Sequence, residues 1–439
     1  MIRTLMIANR GEIAVRIIRT CQEMGLRSVA VFSQADADAL HVKMADQAVC
    51  IGPPPSTQSY LNQNALLTAA MSTNCDAIHP GVGFLSENAE FAAAVGEIGL
   101  IFIGAEPSAI KLLGNKIQAR EIARSAGLPI TPGSDGPIEN IDEAIKVATK
   151  IGTPLIVKAA AGGGGRGMRI IRNQVELEEN IRIASAEALS FFSDGTIFLE
   201  RYLENPRHVE IQVLSDGKNE IIYLGERDCT VQKNYQKLLE ESPSSAVSEK
   251  LREVMRKDVL RLFKKLNYAG AATVEFLVEG NNYYFMEVNT RIQVEHPVTE
   301  LMTGVDLIRE QILVCSEGKM DISQETILIN GYALEARINA LTSGTVSDFI
   351  PPGGPFVRTD SLLYPGYKVS PHYDSMIAKI LVWAPDRKRG LARMSRALRE
   401  TKIEGIRTNI AEQFILIESP QFRSGHFGSG LYEKLIETE

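Results

Sequence analysis

The chain has 439 residues, 44% of them hydrophobic and 23% charged, and its 47 basic and 54 acidic residues give a net charge of −7. This composition is typical of a globular protein with roughly two to four domains. A mildly acidic balance argues against nucleic-acid binding, which needs a basic stripe. It leaves room for a small anionic substrate held in a locally basic pocket.

Cysteine usage and the length of the apolar runs bear on the compartment. The five cysteines at 21, 50, 75, 229 and 315 are scattered and form no Cys-x-x-Cys pair, so neither a zinc ribbon nor a thioredoxin motif is expected. No basic segment followed by a long apolar one opens the chain, and no run is long enough to cross a bilayer. We therefore expect a cytoplasmic protein that does not associate with membranes.

The first hundred residues alternate strand-like and helical patterns. Strand-like runs lie at 4–8, 28–32, 77–79 and 100–103. Between the first two runs, apolar residues at 13, 17, 21 and 24 recur at helical spacing, and Gly25 ends the pattern. This alternation predicts a Rossmann-like parallel sheet with right-handed crossovers.

The composition changes after Gly114. Prolines and glycines crowd residues 129–137 and predict a hinge. A small module at about 138–203 follows, and from Asn205 onward the pattern is mixed, with hairpins and a helix near 249–266. The tail from about Asp386 is again helical in pattern. No internal repeat is found.

A glycine cluster at 162–167 lies between strand-like residues 155–158 and 168–171. Its spacing satisfies the dinucleotide fingerprint, but that motif must open a helix, and here a strand follows. A Walker A motif is excluded because no Gly-Lys-Ser/Thr sequence occurs here. The pattern favours a loop between antiparallel strands that closes over phosphates with its backbone N–H groups, with Lys158 beside it. An ordinary surface loop is the alternative.

Two carboxylates are predicted to face each other at 273–288. Residues 273–278 and 283–288 form two strand-like runs joined by a loop at 280–282. If the loop is centred on Asn281, Glu275 lies opposite Glu287, an arrangement that is destabilising unless a cation lies between them. Asn289 follows on the same face. Two carboxylates and an amide oxygen suit Mg²⁺; two solvated glutamates are the alternative.

If the chain stays extended beyond this hairpin, Arg291 and Glu295 continue the same face. A cation and a carboxylate beside a metal–nucleotide site suit the binding and deprotonation of a small oxyacid. A plain salt bridge at a sheet end is the alternative.

These features together resemble a known family. The glycine segment followed by Glu275, Glu287 and Asn289 is similar to the ATP-grasp fold. Further segments resemble biotin carboxylases and occur in the order of that family: 7–13, 79–81, 84–88, 205–212, 291–297, 336–340 and 373–377.

The resemblance implies an α/β and α+β multidomain fold. An N-terminal Rossmann-like domain would span 1–114, an ATP-grasp domain 115–330 with its glycine-rich lid at about 131–203, and a C-terminal biotin carboxylase domain 331–439. The implied activity is a ligase reaction with ATP, Mg²⁺ or Mn²⁺, bicarbonate and carrier-bound biotin. Bicarbonate attacks the γ-phosphate, and the resulting carboxyphosphate yields CO₂ and a phosphate that deprotonates biotin N1.

The resemblance also implies roles for individual residues. The nucleotide would be bound by Lys116, Lys158, Gly164, Gly165, Glu200, Tyr202, Leu203, His208, Gln232, Tyr235, Glu275 and Glu287. The metal ligands would be Glu275, Glu287 and Asn289. Bicarbonate would be fixed by Lys237, Arg291 and Val294 and deprotonated by Glu295, and Arg337 would face biotin.

Three positions depart from the family pattern. Val82 replaces a usual tyrosine, Tyr235 a usual histidine, and Leu341-Thr342 a usual acidic pair. Val82 would loosen the biotin pocket, and Tyr235 would alter the contacts to the ribose. None of these changes removes a proposed metal or bicarbonate residue.

Two alternatives remain open: another ATP-grasp ligase that joins an acyl phosphate to an amine, and a non-catalytic nucleotide-binding paralogue within a carboxylase complex. The expected partners are a biotin carboxyl carrier protein, since no Met-Lys-Met motif occurs, carboxyltransferase subunits and a second copy of the chain. The final acceptor, such as acetyl-CoA in fatty acid biosynthesis, propionyl-CoA or pyruvate, is left open.

Overall fold

The computed structural model describes residues 2–134, 136–138, 140–159, 168–192, 194–218 and 220–437. Its N-terminal part is the predicted parallel sheet, with strand order β3-β2-β1-β4-β5. The strands are β1 (Thr4–Ile7), β2 (Arg27–Ser33), β3 (Gln47–Gly52), β4 (Ala77–His79) and β5 (Ile101–Phe102). The helices are α1 (Gly11–Glu23), α2 (Leu40–Met44), α3 (Gln63–Ser72), α4 (Ala89–Glu97), α5 (Pro107–Gly114) and α6 (Lys116–Ser125).

A small three-stranded module follows and confirms that antiparallel strands flank the glycine cluster. Its strands β6 (Leu155–Ala159), β7 (Met168–Ile171) and β8 (Ile197–Arg201) have the order β7-β6-β8. The helices α7 (Ile141–Ile151) and α8 (Leu177–Phe192) pack on it around an apolar core of its own. The glycine cluster itself, with Gly164 and Gly165, lies outside the described residues.

The largest unit is an antiparallel eight-stranded sheet with the order β13-β12-β9-β10-β11-β14-β19-β17. Its strands are β9 (Arg207–Asp216), β10 (Ile221–Lys233), β11 (Gln236–Ser242), β12 (Ala269–Glu279), β13 (Asn282–Asn289), β14 (Tyr332–Asn339), β17 (Val357–Ser361) and β19 (Met376–Ala384). Helices α9 (Glu249–Leu266), α10 (His296–Thr303) and α11 (Leu307–Glu317) fall between them in sequence. The β11–β14 ladder pairs strands from both sides of residue 330, where the sequence predicted a domain boundary.

The remaining elements are two short ladders and the helices of the tail. Two short ladders pair β15 (Gly344–Thr345) with β18 (Lys368–Val369) and β16 (Asp348–Ile350) with β20 (Lys402–Glu404). The tail contains α12 (Arg387–Glu400), α13 (Ile410–Glu418), α14 (Pro420–Ser424) and α15 (Leu431–Ile436), so it is mostly helical as predicted, with β20 as an interruption.

Among the described residues, no helix has both the length and the apolar character needed to cross a bilayer.

The β12–β13 hairpin pairs Glu275 with Glu287 as predicted, but the turn differs from the assumed one. The ladder begins at Glu279 and Asn282 across a two-residue turn, so a regular continuation would not place the two glutamates opposite each other. A bulge at Met286 adds one residue to β13 and restores the predicted pairing.

The bulge also decides which side chains face the core. Tyr283 and Phe285 pack in the core on one side of it, and Val288 does so on the other. Without the bulge, strict alternation would send Glu287 into that core and Val288 into the cleft. The extra residue therefore keeps an aromatic core and a polar cleft on opposite faces of one hairpin.

We predict that Val288→Asn lowers the free energy of unfolding by about 1–3 kcal/mol, because it buries an amide without partners. Met286→Gln is the matched control. Met286 lies in the bulge and lines the cleft, so this change should cost much less. Denaturant titration of both variants measures the difference. Equal losses would contradict the assignment of faces.

Candidate active site

A cleft of about 800 Å³ lies between the N-terminal sheet, the three-stranded module and the eight-stranded sheet. Most of the residues singled out from the sequence line it: Lys116, Lys158, Glu200, His208, Gln232, Tyr235, Lys237, Glu275, Glu287, Asn289, Arg291, Val294, Glu295 and Arg337. Tyr202 and Leu203 are not part of its lining. The fold thus brings residues from many separate segments together around a single cleft.

The ammonium group of Lys237, on β11, is the centre of this site. Its Nζ donates to Glu210 Oε2 at 2.7 Å, Glu275 Oε1 at 3.0 Å and Glu295 Oε1 at 2.6 Å. Burial opposes a charged lysine, but the three carboxylates outweigh it and raise the pKa of Lys237 well above its usual value. One cation therefore joins three strongly buried carboxylates from three segments of the chain.

Glu295 is held between two cations. Lys237 contacts one carboxylate oxygen, and Arg337 Nη2 donates to the other at 3.0 Å. Burial favours its neutral form, but Lys237 and Arg337 overcome this and hold the pKa of Glu295 well below its usual range. Residues 290–295 do not form a strand, so the extended-face hypothesis is wrong: Glu295 directly precedes α10 as its N-cap.

Arg337, on β14, has two carboxylate partners. Its Nε donates to Glu240 Oε1 at 2.6 Å, while Nη2 contacts Glu295. Burial disfavours the cation, yet Glu240 and Glu295 raise the pKa of Arg337 further above its usual value. The guanidinium is thus fixed in position at the cleft and stays charged.

Sequence reasoning missed Arg227, a fully buried residue on β10. Its Nε donates to Glu210 Oε1 at 2.6 Å, and its other nitrogens donate to the side chains of Gln212 on the same strand as Glu210 and of Thr273, Gln293 and Thr299 in three further segments. Arg227 therefore fixes the far side of the glutamate that Lys237 contacts. The Glu-Arg pair at 226–227 gives no sign of this role, because its partners are distant in sequence.

The predicted metal ligands provide a donor set that fits a divalent cation. Glu287 has no hydrogen-bond donor within the part of the chain that the structure describes. Burial, and then repulsion by Glu275, raise the pKa of Glu287, and a cation between the two carboxylates would relieve that repulsion. Asn289 donates to Glu275 at 3.0 Å, and its amide oxygen accepts from Arg291 at 3.1 Å. A metal would replace the latter contact.

The other end of the cleft carries positive charge. Lys116 begins α6, whose first N–H groups are capped by Asn115, and a helix N-terminus favours anions. Lys158 Nζ donates to Glu200 Oε2 at 2.5 Å, and Arg120 pairs with the second oxygen of Glu200. Glu200 thus binds two cations here, although its predicted role was in the adenine pocket.

Two further predicted residues have informative surroundings. Arg291 Nε donates to Glu87 Oε2 at 2.8 Å, which ties its guanidinium to the N-terminal part of the chain. His208 Nε2 lies 2.9 Å from Glu275 Oε2. Burial lowers the basicity of this imidazole, but Glu275 outweighs burial and raises the pKa of His208.

The departing residues Val82 and Tyr235 both line the cleft. Tyr235 is 62% exposed and lies in the tight turn between β10 and β11, where its φ is 63°. A bulky residue rarely adopts this conformation. Leu341 is not part of the cleft lining and is 47% exposed.

Comparison with protein families gives three consecutive matches. The model "Biotin carboxylase, N-terminal domain" matches residues 1–110, and "Biotin carboxylase C-terminal domain" matches residues 335–434. Residues 115–322 between them match "Carbamoyl-phosphate synthase L chain, ATP binding domain".

Individual proteins are similar over the whole chain. Biotin carboxylase 1 of Bacillus subtilis is 51% identical over 448 residues, covering 100% of this chain and 99% of that protein. Biotin carboxylase of Haemophilus influenzae is 48% identical, and the match covers 99% of this chain and 99% of that protein. Among solved structures, biotin carboxylase of Campylobacter jejuni in a beta-gamma-ATP complex is 44% identical, with a TM-score of 0.96 and 99% coverage of both chains.

A further solved structure contains other ligands. It is the biotin carboxylase domain dimer of Hydrogenobacter thermophilus 2-oxoglutarate carboxylase, in complex with MgADP, ADP and bicarbonate. It is 43% identical, with a TM-score of 0.94, and covers 99% of this chain and 98% of that one.

We predict that Arg227→Met lowers the free energy of unfolding by about 3–5 kcal/mol, because it leaves the carboxylate of Glu210 buried with Lys237 as its remaining cation. Arg182→Met is the control: Arg182 forms an exposed pair with Glu178 on α8 and should matter little. Chemical denaturation of both variants measures this. Similar stabilities would show that the buried network contributes nothing.

Proposed function

The chain belongs to the biotin carboxylase family, and from that premise we propose that its cleft uses ATP and bicarbonate to carboxylate biotin on a separate carrier protein. The observation that carries this proposal is the Lys237–Glu295–Arg337 cluster: a base held between two cations, next to the paired carboxylates Glu275 and Glu287. This arrangement supports the reaction more specifically than a fold likeness would. The enzyme is an ATP-dependent ligase.

Bicarbonate would bind between Lys237, Arg291 and the backbone around Val294, with Glu295 as its base. Before bicarbonate binds, the flanking cations keep Glu295 ionised but weakly basic. A bicarbonate anion competes for these same cations and so raises the basicity of Glu295 when the base is needed. The proton moves to Glu295 as the bicarbonate oxygen attacks the γ-phosphorus of ATP, and ADP leaves.

ATP would lie along the cleft with its phosphates toward the cationic end. We assign the nucleotide site to Lys116, Lys158, Gly164, Gly165, Glu200, Tyr202, Leu203, His208, Gln232, Tyr235, Glu275 and Glu287. Mg²⁺, or Mn²⁺, would be held by Glu275, Glu287 and Asn289 and would neutralise phosphate charge when bound. Lys158 would move from Glu200 to the phosphates when ATP binds, since a phosphate offers a more highly charged partner.

Biotin would bind against Arg337. Carboxyphosphate breaks down to CO₂ and phosphate, and the phosphate takes the N1 proton of biotin. The charge that leaves N1 accumulates on the ureido oxygen, where the fixed guanidinium of Arg337 stabilises it. N1 then attacks CO₂ and forms carboxybiotin.

The partners we propose follow from the chemistry. Biotin must reach the cleft on a carrier protein, and carboxybiotin must then pass to a carboxyltransferase. A homodimer is supported by the Hydrogenobacter thermophilus domain, which is described as a dimer.

Bicarbonate-dependent ATP hydrolysis with and without free biotin tests the proposed activity. A rate of ADP release that does not depend on bicarbonate would exclude this activity.

We predict that Glu295→Gln reduces bicarbonate-dependent ATP turnover about 10²–10⁴-fold while ATP binding stays nearly intact, because a base is lost but its size is kept. Steady-state ADP release and nucleotide titration measure the two effects. Glu404→Gln, on the exposed strand β20, is the control and should behave as the parent protein. Near-normal turnover in the Glu295 variant would remove Glu295 as the base.

We further predict that Arg337→Ala lowers the rate of biotin carboxylation about 10²–10³-fold and changes ATP affinity little. The guanidinium stabilises charge that exists mainly near the transition state, so turnover suffers more than binding. Arg337→Lys should restore only part of the rate, because lysine lacks the planar fork. The measurement is turnover at saturating ATP, bicarbonate and free biotin. A loss below about fivefold would favour a plain ion pair.

A further inference from the structure

Two glutamates lie directly opposite each other behind Arg337. Glu240 on β11 and Glu335 on β14 are partners in the antiparallel ladder, and both are 0% exposed. Directly opposed side chains on a ladder have their Cβ atoms about 5 Å apart. Two ionised carboxylates on such neighbouring, fully buried side chains would repel each other strongly.

Hydrogen bonding around this pair is incomplete. Glu240 Oε1 accepts from Arg337, but Glu240 Oε2 and both oxygens of Glu335 are buried without a donor among the described residues. Buried oxygens are rarely left without a donor. A proton on one carboxyl group would supply the missing donor and remove the repulsion.

The nearby cations are already shared with other groups. Arg337 also contacts Glu295, and Lys379 on β19 lies 3.0 Å from Glu12 Oε2 on α1 and donates to Val294 O at 2.7 Å. The titratable and charged groups that act on the pair or on its nearby cations are Lys237 on β11, Cys229 on β10, Arg337 on β14, Lys379 on β19, Asp360 on β17, Glu12 on α1, His296 on α10 and Glu295 before α10. No cation among them is left to Glu335 alone.

We infer that Glu240 and Glu335 share a single proton and act as a positioning pair that sets how Arg337 divides its charge between Glu240 and Glu295. The pair touches no substrate and acts through Arg337. The part of this inference that concerns turnover rests on the proposed function, whereas the shared proton does not.

The balance of burial and charge supports this assignment. Burial, opposed by Lys379 and strengthened by Glu240, raises the pKa of Glu335 well above its usual value. Burial, opposed by Arg337 and strengthened by Glu295, raises the pKa of Glu240 to about 7. Such a pair titrates as a unit: one proton stays bound, and the second binds as the pH falls through the neutral range.

The second proton changes the site in a defined direction. Above neutrality, ionised Glu240 competes with Glu295 for Arg337, and Glu295 keeps part of its basicity. When Glu240 becomes protonated, the positive charge of Arg337 acts mainly on Glu295 and lowers the basicity of Glu295. Turnover should therefore fall as the pH drops through about 7, as a consequence of a group outside the substrate pocket.

Infrared difference spectroscopy tests the shared proton without using activity. At about pH 9, where Glu240 is ionised, the whole protein should show the carbonyl band of a buried protonated carboxyl group that shifts on exchange into D₂O, and Glu335→Gln should lose it. Glu226→Gln is the control, because this buried carboxylate is paired with Arg252 and its removal should leave the band in place. If Glu335→Gln folds poorly, Glu335→Met provides the same comparison. A band that is absent, or unchanged in the Glu335 variants, would overturn the inference.

The pH profile of biotin carboxylation tests the effect on Arg337. We predict that Glu335→Gln moves the acid limb of kcat to higher pH by about half a unit, because ionised Glu240 loses the shared proton that stabilises it. Glu240→Gln should hold turnover at the parent protein's acid-side level at every pH and so abolish this limb. Profiles that coincide with the parent protein would overturn the positioning role. Absence of bicarbonate-dependent turnover in the parent protein would instead contradict the proposed function and leave the infrared test decisive.

Discussion

The site depends on one buried ammonium group shared by three glutamates. Lys237 would be costly to bury alone, and so would Glu210, Glu275 and Glu295. Each makes the burial of the others tolerable, so the cluster forms only when β9, β11, β12 and the turn before α10 are all in place. Folding of the eight-stranded sheet and assembly of the base are therefore the same event. A ligand that brings negative charge changes this balance directly.

Local sequence pattern predicted the elements well, because alternation and helical spacing depend on near neighbours. It placed a helix at 249–266 and the strands beside the glycine cluster, as the structure has them. The pairing of Glu275 with Glu287 was also predicted, but from a symmetric loop that does not exist. A bulge corrects the register, and a bulge leaves no clear signal in composition.

What sequence could not predict depends on contacts between distant segments. The expected extended face through Arg291 and Glu295 fails, since the chain turns there to begin α10. Arg227 and Glu240 were missed because neither residue has an unusual neighbour in sequence. Their partners lie in other segments, on neighbouring strands, before α10 and on α10 itself. Resemblance to the family supplied most of the cleft residues, yet it said nothing about which of them form hydrogen bonds with one another.

The bulge in β13 has a consequence for how such a strand can change during evolution. Insertion of one residue into a strand ordinarily reverses the facing of every residue beyond it. Here the ladder absorbs the additional residue locally, so Glu287 and Asn289 keep their side of the sheet. What the chain gains is one more side chain, Met286, in the wall of the cleft. The strand can thus acquire or lose a contact to its ligand by a length change while its acidic pair stays in place.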